Sequence, residues 1–165
     1  MVRVGTCVTA VLGWLVCSSP AWANHFTIDL RVEAGKAGKT AHAETAGIGA
    51  RPKGRGVLDV QKGQRVRVKW VLRSAAAKEK AEDVVVHFFV VKEDRAGQRA
   101  VPKLTKDVTV ETALTMDFKP KDKAQGELSF QIDKPGCYLL RLETIGAAKG
   151  RDGHEHFAAL DLVVR

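Results

Sequence analysis

The residues of this sequence best suited to chemistry are its histidines, two of which lie close together ahead of the last apolar run. His154 and His156 are two positions apart, and Asp152 lies just before them. On a β-strand, residues two apart point to the same side with Cα atoms about 6.6–7 Å apart, so both imidazoles can reach one ion. Imidazole and carboxylate ligands together suit Cu(II) or Zn(II). The spacing therefore marks His154, His156 and Asp152 as candidate ligands of a transition metal.

The first 23 residues have the pattern of a secretory signal peptide. Arg3 is their one cation, residues 8–16 form a short apolar run, and Ala21 and Ala23 place small side chains at the −3 and −1 positions of a cleavage site. We therefore expect export to the periplasm or the extracellular space, with residues 24–165 as one mature domain. Cleavage would leave one of the three cysteines and hence no internal disulfide. No apolar run reaches the roughly 18–20 residues of a membrane-spanning helix.

Signal cleavage adds a fourth candidate ligand. A cut after Ala23 makes His25 the second residue of the mature chain. A terminal amine, the next amide and an imidazole at position two can together chelate Cu(II). The alternative for His154 and His156 is a structural role at the rim of the core, because they are in phase with the apolar residues of the last run.

Positive charge is concentrated in residues 51–73, which carry eight cations and one acid, a net charge of +7 in a chain of +8 overall. Within them, Arg65, Arg67 and Lys69 alternate with apolar residues, so they project from one face of a strand. Like charges on one face repel each other. The segment therefore needs either carboxylates from neighbouring strands or a bound anion.

Both explanations of this basic segment remain open. Asp107, Glu111 and Glu143 are the candidate carboxylate partners. Otherwise Arg65, Arg67 and Lys69 form a docking stripe for a polyanion, such as an acidic polysaccharide or lipid headgroups. Nucleic acid is not expected, because the cations lack the aromatic platform or groove-reading element that its binding requires.

No catalytic motif is recognisable in the chain. We find no nucleophile elbow, no cysteine with an evident base, no phosphate-binding glycine loop and no His-Glu-x-x-His. The sequence therefore predicts no catalytic residues and no enzymatic activity. It favours a binding or accessory module with a protein or cell-envelope partner, and a transition-metal carrier is the alternative.

Strands must position all of these residues. Short runs of period-two alternation are separated by turns rich in Gly and Pro, and no long amphipathic helix is evident. This pattern predicts an all-β fold, an antiparallel two-sheet sandwich of seven to eight strands. The expected strands lie within residues 26–33, 58–60, 65–72, 84–91, 108–116, 128–132, 138–142 and 157–164.

Residues 34–56 interrupt this pattern. They contain six glycines and no apolar periodicity, so they bury too little apolar surface to offset the entropy of ordering. We expect a flexible loop there, with His42 solvated. Residues 75–81 form the one expected helical turn, and His87, inside an apolar run, is expected to be a hydrogen-bonded residue of the sheet.

The segment Asp133-Lys-Pro-Gly136-Cys-Tyr138 resembles the corner before the penultimate strand of immunoglobulin-like domains. Trp70 likewise resembles the buried tryptophan of those sandwiches. The resemblance covers roughly residues 57–164 and implies an immunoglobulin-like fold in which the Tyr138 hydroxyl bonds to nearby backbone. It implies no activity, because this fold hosts many functions.

A second resemblance concerns the candidate metal ligands. Small periplasmic copper-binding sandwiches of the CopC type have a histidine at the mature N-terminus and an Asp-x-His near the last strand. His25, Asp152 and His154 are similar to that set, although Asn24 precedes His25 here. The resemblance implies copper as the bound ion.

Overall fold

The computed structural model describes residues 26–35, 38–45, 54–75, 80–99, 108–145 and 156–165. Within those ranges it contains nine strands and no helix long and apolar enough to cross a membrane. The strands are β1 (Phe26–Ala34), β2 (Lys39–Glu44), β3 (Gly56–Val60), β4 (Arg65–Ser74), β5 (Ala81–Glu93), β6 (Val108–Phe118), β7 (Lys123–Gln131), β8 (Gly136–Ile145) and β9 (His156–Val164).

The nine strands form two sheets. The four-stranded sheet has the order β2-β1-β4-β7, and the five-stranded sheet has the order β3-β9-β8-β5-β6. One apolar core joins the inward side chains of both sheets, which confirms the predicted two-sheet sandwich. Pairing is antiparallel except between β3 and β9, which run parallel, so the fold differs from the expected antiparallel arrangement at that edge.

Period-two alternation builds the core. In β1 and β4, every second side chain faces inward, and Val32 and Val68 are completely buried. Burying such a side chain stabilises the fold by roughly 1.5–3 kcal/mol. Trp70 belongs to the same inner face, and its ring lies over Gly126 of β7, where a Cβ atom would come within 2.5 Å of Trp70 Cζ2. Only glycine leaves room for the indole at that position.

The corner before β8 has the hydrogen bond that the immunoglobulin resemblance implies. Tyr138 is buried, and its hydroxyl donates to the carbonyl oxygen of Lys134 at 2.7 Å. Burial raises the pKa of Tyr138. The bond ties the loop after β7 to the start of β8.

The structure differs from the sequence-based expectation within residues 34–56. Lys39–Glu44 form strand β2, which pairs with β1 at the edge of the four-stranded sheet. Only Ala41 and Ala43 pack against the core from this strand, so its apolar alternation is too weak to recognise. Backbone pairing with β1 satisfies its hydrogen-bonding groups and compensates for the small buried surface.

Other expectations fall outside the described residues. The signal segment in residues 1–23 does so entirely, as do residues 36–37 and 46–53 of the expected loop. Of the expected helical turn at 75–81, residues 76–79 are not described, and Ala81 begins β5.

Candidate functional site

The basic stripe, formed by Arg65, Arg67 and Lys69, lies on the outer face of the four-stranded sheet. It belongs to β4, between β1 and β7. Its three side chains alternate with Val66 and Val68, which face the core. The predicted placement of the three cations on one face is therefore confirmed.

Carboxylates from both neighbouring strands pair with the stripe. Arg67 Nε lies 3.1 Å from Glu127 Oε1 on β7, and Lys69 Nζ lies 3.3 Å from Glu33 Oε1 on β1. Glu33 also pairs with Arg31 at 3.2 Å. The side chains of Arg67 and Lys69 remain about half exposed, and exposed ion pairs contribute about 0–1 kcal/mol each. An incoming anion can therefore compete with these carboxylates.

The carboxylates expected from the sequence are not the ones observed. Glu111 and Glu143 belong to β6 and β8 of the other sheet, so the prediction that they pair with the stripe is wrong. Asp107 lies outside the described residues. The physical reason is the sheet order, because β4 has only β1 and β7 as neighbours.

Arg65 differs from the other two cations of the stripe. Its register partner on β7 is Gln131, and no carboxylate of the described ranges lies within 4.0 Å of its guanidinium. An open groove of ≈ 570 Å³ adjoins it. The groove is lined by Glu33, Gly35, Gln64, Arg65 and Arg67.

The side chain of Gln64 is positioned at this groove by contacts with Gln61 and Gly35. Its Oε1 accepts a hydrogen bond from the Gln61 amide at 2.9 Å. Its Nε2 occupies the space beside Gly35, where a Cβ atom would lie only 1.7 Å away. Gly35 also has a φ of 66°, which favours glycine. The absent side chain thus makes room for the Gln64 amide, which places hydrogen-bond donors next to Arg65.

Of the four predicted metal ligands, the structure describes only His156. This residue begins β9 on the core face, with its ring 6.2 Å from that of Phe26. Its inward placement agrees with the structural alternative considered from the sequence. His25, Asp152 and His154 lie outside the described residues, so the site with Cu(II) or Zn(II) stays a prediction.

Sequence reasoning missed a second histidine cluster, which we call the edge cluster: Asp29, His42 and Glu44. His42 Nε2 lies 2.8 Å from Asp29 Oδ1 and 3.8 Å from Glu44 Oε1. His42 was expected to be solvated in a loop; its side chain is half exposed, but it lies in β2 with Nε2 within hydrogen-bond distance of Asp29. The i, i+2 spacing of His42 and Glu44 is a signal that could have indicated the cluster, once β2 was known to be a strand.

His87 is hydrogen-bonded within the five-stranded sheet, as its position in an apolar run predicts. Its Nδ1 lies 2.9 Å from Glu143 Oε1, and its Nε2 lies 2.9 Å from Glu111 Oε1. Glu143 Oε2 also pairs with Arg141 Nη2 at 2.6 Å. Each ring nitrogen therefore faces its own carboxylate, and the ring links β6 to β8 across β5.

A buried charge network lies at one end of the five-stranded sheet and uses a cation of the basic segment. Arg55 Nε donates to Asp161 Oδ1 at 2.8 Å. Arg55 Nη2 pairs with Glu93 Oε2. Asp161 is fully buried and also accepts from the Gly97 amide at 2.5 Å. Burial raises the pKa of Glu93, with Arg55 opposing the shift. Arg55 therefore serves the fold and cannot contribute to the basic stripe.

Comparisons with known proteins add little to this description. Neither a protein-family model nor a curated protein matches the chain. Among solved structures, the crystal structure of the C-terminal domain of wzt is similar at a TM-score of 0.48 and 11% identity, over 82% of this chain and 70% of that chain. The two sheets and the apolar core that they share define the sandwich.

Proposed function

We propose that the protein is an exported, non-enzymatic binding module that recognises an anionic ligand at the groove beside Arg65. The observation that carries this proposal is that Gln64, Arg65 and Arg67 line a single open groove. No carboxylate of the described residues lies within ion-pairing distance of Arg65.

The chemistry of the groove favours an anion. Arg65, Arg67 and Gln64 all present N–H donors, and arginine binds carboxylate, sulfate and phosphate groups through two parallel hydrogen bonds. Among the residues that the structure describes, Glu33 is the one acid that lines the groove. It already interacts with two cations, Arg31 and Lys69, which reduces its repulsion of a ligand.

The stripe extends the groove along β4. Lys69 follows Arg67 at a distance of about 6.6–7 Å between Cα atoms, so a ligand with repeated negative charges can contact several cations in turn. An acidic polysaccharide or a surface of anionic lipid headgroups has this property. We propose that such a polyanion is the ligand.

Retention on immobilised heparin against increasing salt tests this proposal. We expect the double variant Arg65→Ala, Arg67→Ala to elute at clearly lower salt than the wild type, because salt screens the contacts that those charges make. The matched control is Arg95→Ala, Arg99→Ala, which removes two exposed cations from the segment after β5 of the other sheet. This control is expected to shift the elution less.

Equal shifts in the two double variants would contradict the proposal, since net charge alone would then explain retention. Co-sedimentation with vesicles separates the two ligand sources. Binding to anionic phospholipid vesicles without retention on heparin would identify lipid headgroups, and the reverse result would identify a polysaccharide.

The export component of the proposal rests on the signal pattern in residues 1–23. N-terminal sequencing of the protein secreted by its host is expected to begin at Asn24. A secreted protein that still carries Met1 would contradict cleavage.

A further inference from the structure

We propose that the edge cluster, Asp29, His42 and Glu44, is a binding site for a divalent transition metal such as Zn(II). The cluster lies on the outer face of the four-stranded sheet, where β2 pairs with β1. It shares no residue with the groove beside Arg65, and it is separate from the histidines that the sequence singled out as metal ligands.

The three ligand atoms converge on one point. His42 Nε2 and the two carboxylate oxygens all lie within 4.8 Å of one another. With metal–ligand bonds of about 2.0–2.2 Å, a tetrahedral site places its ligand atoms roughly 3.3–3.6 Å apart. The observed separations from Nε2, 2.8 Å and 3.8 Å, lie on either side of that value. Small side-chain rotations are sufficient to reach the coordination geometry.

The strand register explains why a cation is needed here. Asp29 and Glu44 are directly opposite each other in the β1–β2 pair, and like charges in that arrangement destabilise a sheet. His42 lies beside them, but its ring is a cation only when it is protonated. Arg31, the register partner of His42, is paired with Glu33 instead. A divalent metal bound to the neutral ring would compensate both carboxylates at once.

The orientation of the carboxylates distinguishes this cluster from the one around His87. At His42, both carboxylates approach the same ring nitrogen, Nε2. At His87, Glu143 faces Nδ1 and Glu111 faces Nε2, so no single ion can contact the ring and both acids. Of these two clusters, only the edge cluster has the geometry of a metal site.

The ligand set suits Zn(II). Imidazole nitrogen and carboxylate oxygen are ligand types that Zn(II) takes, and three protein ligands leave the fourth tetrahedral position for water. The three side chains are 38–70% exposed, so the ion can enter without a change of fold. Binding would fasten the edge strand β2 to β1.

Zn(II) titration of the purified protein against a competing chelator tests the site, with the histidine ring resonances followed by NMR. We expect one equivalent of Zn(II) to shift the His42 resonances and to leave those of His87 in place. His42→Ala is expected to weaken this binding at least tenfold, and Glu44→Gln to weaken it while His42 is retained. Thr40→Ala is the matched control, because it changes an exposed residue of the same strand outside the cluster.

Two results would overturn the proposal. One is a set of His42 resonances that does not move when Zn(II) is added to the folded protein. The other is a Zn(II) affinity that is the same in His42→Ala and wild type, since any bound ion would then lie elsewhere, for instance at His25 or His154.

Discussion

Arg55 and Arg67 lie on opposite sides of the sandwich, and each pairs with acidic side chains. The Arg55 side chain is 4% exposed, and its partners Glu93 and Asp161 are 6% and 1% exposed. Arg67 and its partner Glu127 are each 49% exposed. Buried charges have lost their hydration, so the fold depends on their complete pairing. Exposed pairs keep their hydration and are screened by salt, which leaves Arg67 able to exchange its partner for a ligand.

The two histidine clusters repeat this contrast. His87 is 13% exposed and connects three strands of the five-stranded sheet. His42 is 51% exposed and belongs to an edge strand. The same residue types therefore stabilise one outer face and form candidate binding sites on the other. Burial, and not composition, decides which role they have.

The largest expected effect concerns Asp161. Asp161→Ala is expected to lower the free energy of unfolding by about 3–5 kcal/mol, because it leaves the buried Arg55 without one of its carboxylates. The control on the exposed face, Glu127→Ala, should cost about 0–1 kcal/mol. Urea denaturation of both variants measures the difference. Similar losses in the two variants would show that the buried and the exposed ion pairs contribute equally to stability.

Substitutions of His87 and His42 are expected to differ less in their effect on the free energy of unfolding. His87→Gln is expected to cost about 1–3 kcal/mol, because the buried Glu143 loses a hydrogen-bond partner. His42→Gln should change the free energy of unfolding by less than about 0.5 kcal/mol, as surface substitutions usually do. The same denaturation experiment, run without added metal, compares them. A larger loss for His42→Gln would reverse the proposed roles.

Glu93 gives the buried network a pH dependence. Burial raises its pKa above the ordinary value of 4.5, with Arg55 opposing and Asp161 reinforcing the shift. A carboxyl group with a raised pKa contributes stability below its ordinary value, and this contribution is lost as the pH rises through the folded pKa. The stability difference between wild type and Glu93→Gln should therefore decrease from about pH 4 to pH 7. Denaturation across that range measures it, and a difference that grows with pH would contradict the raised pKa.

The smallest expected loss of stability is that of substitutions on the outer face of the four-stranded sheet. Arg65→Ala, Arg67→Ala should change the free energy of unfolding by only about 0.5 kcal/mol or less per substitution, even though it reduces retention on heparin. Thermal or urea denaturation checks this expectation. A loss comparable to that of Asp161→Ala would mean that the stripe serves the fold, as Arg55 does.

Much of the fold could be predicted from local patterns. The alternation in β1 and β4 correctly separates core residues from outward ones, and the corner before β8 correctly indicates the Tyr138 hydrogen bond. The strand β2 could not be predicted in this way, because Ala41 and Ala43 bury too little surface to form a visible apolar period.

The charge partners could not be predicted, because they depend on residues far apart in the chain. Arg55 and Asp161 are 106 positions apart, and His87 and Glu143 are 56 apart. Glu111 and Glu143, two of the partners expected for the stripe, lie in the other sheet. Choosing correctly requires the sheet order and the register, and neither is a local property.

The order of the amino acids alone predicts that the chain forms strands, which face of each strand is apolar, and that Arg65, Arg67 and Lys69 share an outer face. Side-chain alternation with a period of two is sufficient for this, because it follows from the geometry of a single strand. The burial of Arg55, the groove beside Arg65 and the contact of Asp29 with His42 and Glu44 depend on the folded arrangement of the strands. These features arise from strand pairing and from the covering of one outer face, which are set by packing between distant parts of the chain.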